Sequence, residues 1–272
     1  MMNTKSKSKG LRRNRAIAAT FLSVCFAFSA HAGELAVVGT GDGMSILSAL
    51  AGSFNAKNPE TTVTIPPSIG SGGAIAAVGT GQNSLGRVAR PLTDAEKAQG
   101  LAYVAIMRVP AAFVAHPSAG VAALTDAQLK SIYEGSVSNW KEVGGADIRI
   151  RVVRREDSDS TLTVLRQTMP GWANIAITSR SKTATTTQDM LESVRSTEGA
   201  IGFAPFEPSS AKGLTVFAVN GSAPSDPTYP SATQIALIYK DPSLTAEGRK
   251  FVEFSRSPDA QALIKTLGAI PN

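Results

Sequence analysis

LTDAQLKSIYEGSVSNWKEVGGADIRIRVVRREDSDST, residues 124–161, decides the fold class. Leu124–Tyr133 reads as a helix, with Thr125 placed as its N-cap. A glycine turn around Trp140 follows, and Ile148–Val153 then alternates as a half-buried strand does. The strand runs straight into Arg154-Arg155, and Asp157–Thr161 is a short Ser/Asp turn that opens another helix. That order puts guanidinium groups beside the free N–H groups of a helix first turn. The combination suits an oxyanion, because the helix end supplies donors and a positive dipole end while arginine supplies a planar fork.

The same alternation extends outward. Leu35–Val38 is a short apolar strand ending in Gly39-Thr40-Gly41-Asp42-Gly43, and Met44, Ile46, Leu47, Leu50, Ala51 and Phe54 have helical spacing. Thr62–Ile65 is a second strand, stopped by Pro66-Pro67, and Gly70-Ser71-Gly72-Gly73 opens a small-residue helix ending near Gly79-Thr80-Gly81. Strands alternating with helices at this pace predict an α/β fold with a largely parallel sheet. Val104–Val109 and Ala111–Ala115 are strand-like runs interrupted by Pro110, where the chain is expected to leave one sheet and enter another. Beyond the quoted stretch, Ser179–Thr187 reads as a polar loop, Gln188–Arg195 as a helix, and Ala200–Phe203, Gly213–Asn220 and Ile235–Tyr239 as strands. Thr245–Phe254 and Pro258–Leu267 close the chain as two helices.

Three turns share one grammar of strand, Gly/Ser/Thr/Asp and helix: Thr40–Ser45, Gly70–Ala74 and Asp157–Thr161. Each presents the unpaired N–H groups of a helix first turn, and glycine lets a ligand approach the backbone closely. With Arg90 and Arg155 they form a candidate anion cage. Ordinary capping by Thr40, Ser71 and Ser158 is the competing account of the same residues.

Composition narrows the class. Residues 1–32 read as an export signal: a positive n-region, an apolar stretch Ala16–Ala30 and the cleavage pattern Ala30-His31-Ala32. That segment holds six of the 27 Lys and Arg and none of the 21 acids, so the remainder is neutral with 21 of each. The basic balance therefore belongs to the signal and gives no support to nucleic-acid binding. Cys25, the only cysteine, leaves with the signal, and His116 is then the only histidine. Zinc sites and Ser-His or Cys-His nucleophiles have almost nothing to build on, so the expectation is no enzyme, no catalytic residues, no metal and no cofactor. The mature protein is expected in the periplasm or secreted, after cleavage near Ala32.

These residues carry a resemblance. The chain resembles the periplasmic phosphate-binding proteins, receptor subunits of the phosphate ABC importer within the type II periplasmic binding protein superfamily. The likeness spans nearly all of the mature chain. It rests on Gly39–Met44, on Gly70–Gly73, on Ala89-Arg90-Pro91-Leu92, and on Phe251, Phe254, Ser257 and Gln261. Most specifically it rests on Leu124, Thr125, Ile132, Tyr133, Gly135, Asn139 and Trp140. The resemblance implies a two-lobed type II fold with the ligand cleft between the lobes, lobe 1 being 33–109 plus 235–272 and lobe 2 being 110–234. It implies a monomer that captures phosphate or a similar oxyanion and hands it to a membrane permease. A sensor or adaptor of the same fold for a different small ligand, uncoupled from transport, is the alternative. The implied ligand contacts are Gly43, Met44, Ser71, Arg90, Arg155, Asp159, Ser160 and Thr161. The sequence departs from the family at Asp159, where the family's Ser-Gly-Thr triplet reads Asp-Ser-Thr, and Asp42 adds a second carboxylate near the first turn. A carboxylate beside a phosphate dianion costs on the order of 1–4 kcal/mol, so Asp159 is expected to face outward as a helix-start residue; the alternative is a different ligand, another oxyanion or a zwitterion, with Asp159 accepting from its N–H or O–H.

Overall fold

The computed structural model describes residues 33–157 and 159–272. The export-signal segment and the capping candidate Ser158 lie outside the described residues. The first half of the chain runs β1 (Gly33–Gly39), α1 (Met44–Lys57), β2 (Thr61–Thr64), α2 (Gly70–Gly79), β3 (Leu85–Val88), α3 (Asp94–Lys97) and β4 (Ala102–Ala115). Next come β5 (Ala123–Leu124), α4 (Asp126–Glu134), β6 (Arg151–Arg155), α5 (Ser160–Thr168), β7 (Lys182–Ala184) and α6 (Thr187–Ser196). The chain closes with β8 (Ala200–Pro205), β9 (Thr215–Val216), β10 (Ala218–Val219), β11 (Ala232–Tyr239), α7 (Ala246–Phe254), α8 (Pro258–Thr266) and β12 (Ile270–Pro271).

The main path of the sheet is β2-β1-β3-β11-β4-β8-β6-β7. β1 runs parallel to β2 and β3, and β6 runs parallel to β7 and β8, so each end of the sheet is parallel as predicted. The antiparallel strands β11 and β4 join the two ends. The expected break at Pro110 takes another form. β4 is one continuous strand that changes partner there, pairing with β11 up to Pro110 and with β8 from Ala111. Proline has no N–H to give a ladder, and at the changeover its carbonyl accepts from the Phe206 N–H at 2.8 Å.

Each half of the sheet carries one main core, with a smaller cluster beside it. Phe54 of α1 meets Phe251 and Phe254 edge-on at 5.4 and 5.5 Å against β1 and β11. The other core gathers Phe113, Tyr133, Trp140, Trp172 and Phe203. The opening stretch builds that second core. Thr125 and Gln128 close a reciprocal capping box on α4, and Gly135 ends the helix in the left-handed region at φ 84°. Trp140 is fully buried, donates its Nε1–H to Gly199 O at 2.9 Å and stacks on Phe217.

Several boundaries differ from expectation for local reasons. Ile148 and Ile150 bond back to Trp140 and Ser138, so β6 starts only at Arg151 and carries on through Arg155. The polar loop Ser179–Thr187 contains β7, recruited by pairing with β6. Gly213–Asn220 is split into β9 and β10, which pair with β4 and β5 respectively. Among the described residues no helix is long and apolar enough to cross a membrane.

Candidate functional site

The three turns singled out in the sequence meet at one cleft of about 640 Å³. It is lined by Thr40–Ser45 from the β1–α1 turn, by Ser68 before α2 and Gly70 at its first position, and by Arg155, Asp159, Ser160 and Thr161 from the β6–α5 turn. Thr187 and Gln188 at the start of α6 and Glu207 beyond β8 complete the wall. Residues at the N-terminal ends of four helices, α1, α2, α5 and α6, therefore border a single space. A helix N-terminus carries unpaired N–H donors and roughly half a positive charge.

The α1 end is left open. Its N-cap Gly43 has φ 68° and offers no side-chain acceptor, so the N–H groups of Met44 and Ser45 have only the cleft to bond to. Glycine suits that position chiefly through its backbone. Its φ is positive, and a Cβ would lie 2.9 Å from Met107 Cε. Thr40 caps nothing: its hydroxyl donates to Asp42 Oδ2 at 3.1 Å and accepts from the Asp42 N–H.

The α5 end is capped by Asp159, whose Oδ1 accepts from the Leu162 N–H at 2.9 Å while its Oδ2 pairs with Arg155 at 2.8 Å. Both side chains are about nine-tenths buried, at 11% and 8% exposure. The expectation that Asp159 faces outward is corrected. It caps the helix as predicted, but from inside the cleft, where the guanidinium four residues earlier holds it. Arg155 also donates to Thr187 Oγ1 at 3.1 Å and to Thr185 O at 3.3 Å, and its buried Nε–H has no acceptor. Ser160 and Thr161 follow at the first two helical positions, with N–H groups free of the cap.

Arg90 and Ser71 stand elsewhere. Arg90 makes a two-pronged pair with Glu96 at 2.9 and 2.8 Å and adds Pro91 O. Hydrogen bonding from Arg90 pushes the Glu96 carboxyl down to about 2, so the pair stays ionised at any ordinary pH. Ser71 sits within α2 and accepts from the Ala89 N–H at 3.0 Å. Neither residue lines the cleft.

Two contributors escaped the sequence reading. The α6 end, capped by Thr186 on the Asp189 N–H, begins inside the stretch read as a polar loop, and nothing in sequence tied it to the other turns. Glu207 lies 162 positions from Ser45, whose hydroxyl donates to it at 2.6 Å across the cleft mouth. The ionic inventory of the lining is thus Arg155 against Asp42, Asp159 and Glu207. Among the described residues no cluster of His, Cys, Asp and Glu could hold a metal ion.

The chain matches the PBP superfamily domain family PBP_like_2 over residues 27–259. It belongs to that family. The family is one of two-lobed solute-binding proteins, and the cleft described above lies between the two sheet ends that form the lobes. Among relatives, the phosphate-binding protein PstS of Bacillus subtilis is 26% identical over 247 residues, covering 88% of this chain and 81% of its own. A putative phosphate ABC transporter substrate-binding protein from Clostridium perfringens, solved with bound phosphate, is 28% identical with a TM-score of 0.71. That superposition covers 88% of this chain and all of the other. An ABC-type phosphate transport receptor from Vibrio cholerae shares the fold at 24% identity and a TM-score of 0.67, over 88% and 99% of the two chains.

Proposed function

We propose that this member of the PBP superfamily is an extracytoplasmic receptor that captures phosphate, or a closely similar protonated oxyanion, for an ABC importer. The observation that carries the reading is the convergence of four helix N-termini around Arg155, a buried guanidinium with an unused Nε–H. The B. subtilis and C. perfringens relatives are named for phosphate, in keeping with that chemistry. Gly43 and Met44 on one side, and Arg155, Asp159, Ser160 and Thr161 on the other, are the proposed contacts. Lobe 1 would take 33–109 plus 235–272 and lobe 2 would take 110–234, a division supported by the two separate cores.

Three carboxylates in the lining select the form of the anion. Near neutral pH phosphate still carries at least one proton, so it offers an O–H to a carboxylate while its other oxygens accept from N–H groups. Sulfate has no proton to offer and would leave Asp159 opposing it. Closure of the cleft then replaces the ligand's water by fixed donors. The proposal includes export with cleavage near Ala32, action as a monomer, and docking of the closed form on a membrane permease. N-terminal sequencing of the exported protein would reveal an intact Met1 if the export reading is wrong. Calorimetry with phosphate, arsenate and sulfate is the direct test. Phosphate is expected to bind at least about a hundredfold more tightly than sulfate, roughly 2.8 kcal/mol. A protein that binds none of the three overturns the reading.

A further inference from the structure

Arg87 lies inside β3 with no exposed surface, and its guanidinium is held only by main-chain carbonyls. Nε donates to Thr40 O at 2.7 Å, one Nη to Pro66 O at 2.7 Å and the other to Val37 O. Burial pushes its pKa down, yet a guanidinium in a protein does not lose its proton. Among the described residues no carboxylate pairs with it, so the interior holds a positive charge met only by carbonyl dipoles. Burying a lone cation is costly, and three carbonyl dipoles offset the cost only in part.

The gripped carbonyls connect this charge to the cleft. Thr40 and Gly41 line the cleft, and Pro66 precedes the segment that brings Ser68 and Gly70 to it. In a trans peptide the C=O and the next N–H point in opposite directions. Holding Thr40 O inward therefore turns the Gly41 N–H away from Arg87 and toward the cleft. Among the described residues that N–H has no main-chain acceptor. Electrostatics act in the same sense. The lining sets Arg155 alone against Asp42, Asp159 and Glu207, a balance that on its own repels an anion. Arg87, one residue behind the lining, contributes the missing positive charge.

We propose that Arg87 is a positioning residue for the anion: without touching the ligand, it aims the β1–α1 turn and supplies the buried charge that makes an acidic cleft receptive to an oxyanion. The proposal rests on the oxyanion reading above and deepens it.

Wild-type protein, Arg87→Gln and Arg87→Lys are titrated with inorganic phosphate by calorimetry at low and high NaCl, with thermal melts as the folding control. Arg87→Gln is expected to bind phosphate about tenfold or more weakly, a change equal to roughly 1.4 kcal/mol. The loss should persist in high salt, because a buried charge is screened far less than an exposed one. Arg87→Lys should recover part of the affinity by keeping the charge without the fork. A mere brace predicts lower melting temperatures in both variants with unchanged affinity of the folded protein, and that result overturns the proposal. Should neither variant fold, wild-type protein labelled with ¹⁵N-arginine decides. Its slowest-exchanging guanidinium Nε–H is expected to shift as phosphate is added, and a resonance that stays put overturns the proposal. A wild type that binds no phosphate, arsenate or sulfate overturns the oxyanion reading and this assignment together. Normal binding by both wild type and Arg87→Gln overturns only the assignment.

Discussion

Arg87 and Arg155 occupy different ends of the same sheet and are held in contrasting ways. Arg87, on β3, is gripped by carbonyl oxygens and pairs with no carboxylate among the described residues. Arg155, on β6, meets a carboxylate at 2.8 Å and keeps one donor idle beside it. A carbonyl clamp preserves a charge and fixes it in place. A carboxylate partner cancels the charge until a competing anion arrives, and it charges that anion for the exchange. On the proposed reading, the wall beside β3 would act through backbone and field, and the wall beside β6 through a side-chain pair shared with the ligand.

Removing the shared charge should have the largest effect. Arg155→Ala strands Asp159 in the cleft with no counter-charge, and phosphate affinity should fall by about 2–5 kcal/mol. Calorimetry finding the wild-type affinity in that variant would take the side-chain pair out of the binding account. Asp159→Asn keeps a capping acceptor but ends the ion pair and the site for a ligand proton. The preference for phosphate over sulfate should narrow by about tenfold; the cap itself survives because Asn and Asp cap helices equally well, so any fall in melting temperature reports the broken ion pair. A preserved preference would show that Asp159 serves only the helix.

Smaller effects should come from the backbone wall. Gly43→Ala places a side chain at φ 68° against Met107 and should cost about 1–2 kcal/mol of stability, read from denaturant unfolding. Ser45→Ala removes the hydroxyl bond to Glu207 across the cleft mouth and should shift phosphate affinity by only about 0.5–1.5 kcal/mol. The smallest change belongs to Arg90→Ala. The Glu96 carboxylate already occupies Arg90, and that pair is lost only as pH falls from the ordinary glutamate range through about 2. Phosphate titrations of this variant at about pH 5 and pH 8 should therefore match wild type at both; a clear drop would restore Arg90 to the site.

The three turns were legible in sequence because each uses the same local chemistry, a strand end followed by Gly, Ser, Thr or Asp and a helix. The long agreement from Leu124 to Trp140 was legible for a related reason: its caps, its glycine stops and its buried Trp140 are short-range features. What stayed hidden depends on contacts between distant positions. Arg87 meets carbonyls 47, 50 and 21 residues away, and as an arginine among Leu85, Gly86 and Val88 it masks a strand that is buried throughout. β7 exists only because β6 recruits it. Asp159 shows a subtler limit. Its preference for a helix start says which residue it caps, but the direction of its second oxygen is decided by Arg155 on the preceding strand. The pairing of Arg90 with Glu96 was hidden for the same reason, since a motif position identifies a residue without naming its partner.

The insertion of β11 between β3 and β4 sets the order in which the molecule can be assembled. The core around Phe113, Trp140 and Phe203 draws on one uninterrupted run of chain, 111–229. The core around Phe54 and Phe251 needs residues from both ends, and until Ala232–Tyr239 arrives β3 and β4 face an empty lane in the sheet. Long loop closure is slow relative to local contact formation. In pulse-labelling hydrogen exchange, amides of β8 should thus gain protection before those of β3. A chain stopped short of residue 232 would expose two unpaired strand edges, the kind of surface that invites association with other chains. β11, laid down late in the chain, is the strand that closes both of those edges.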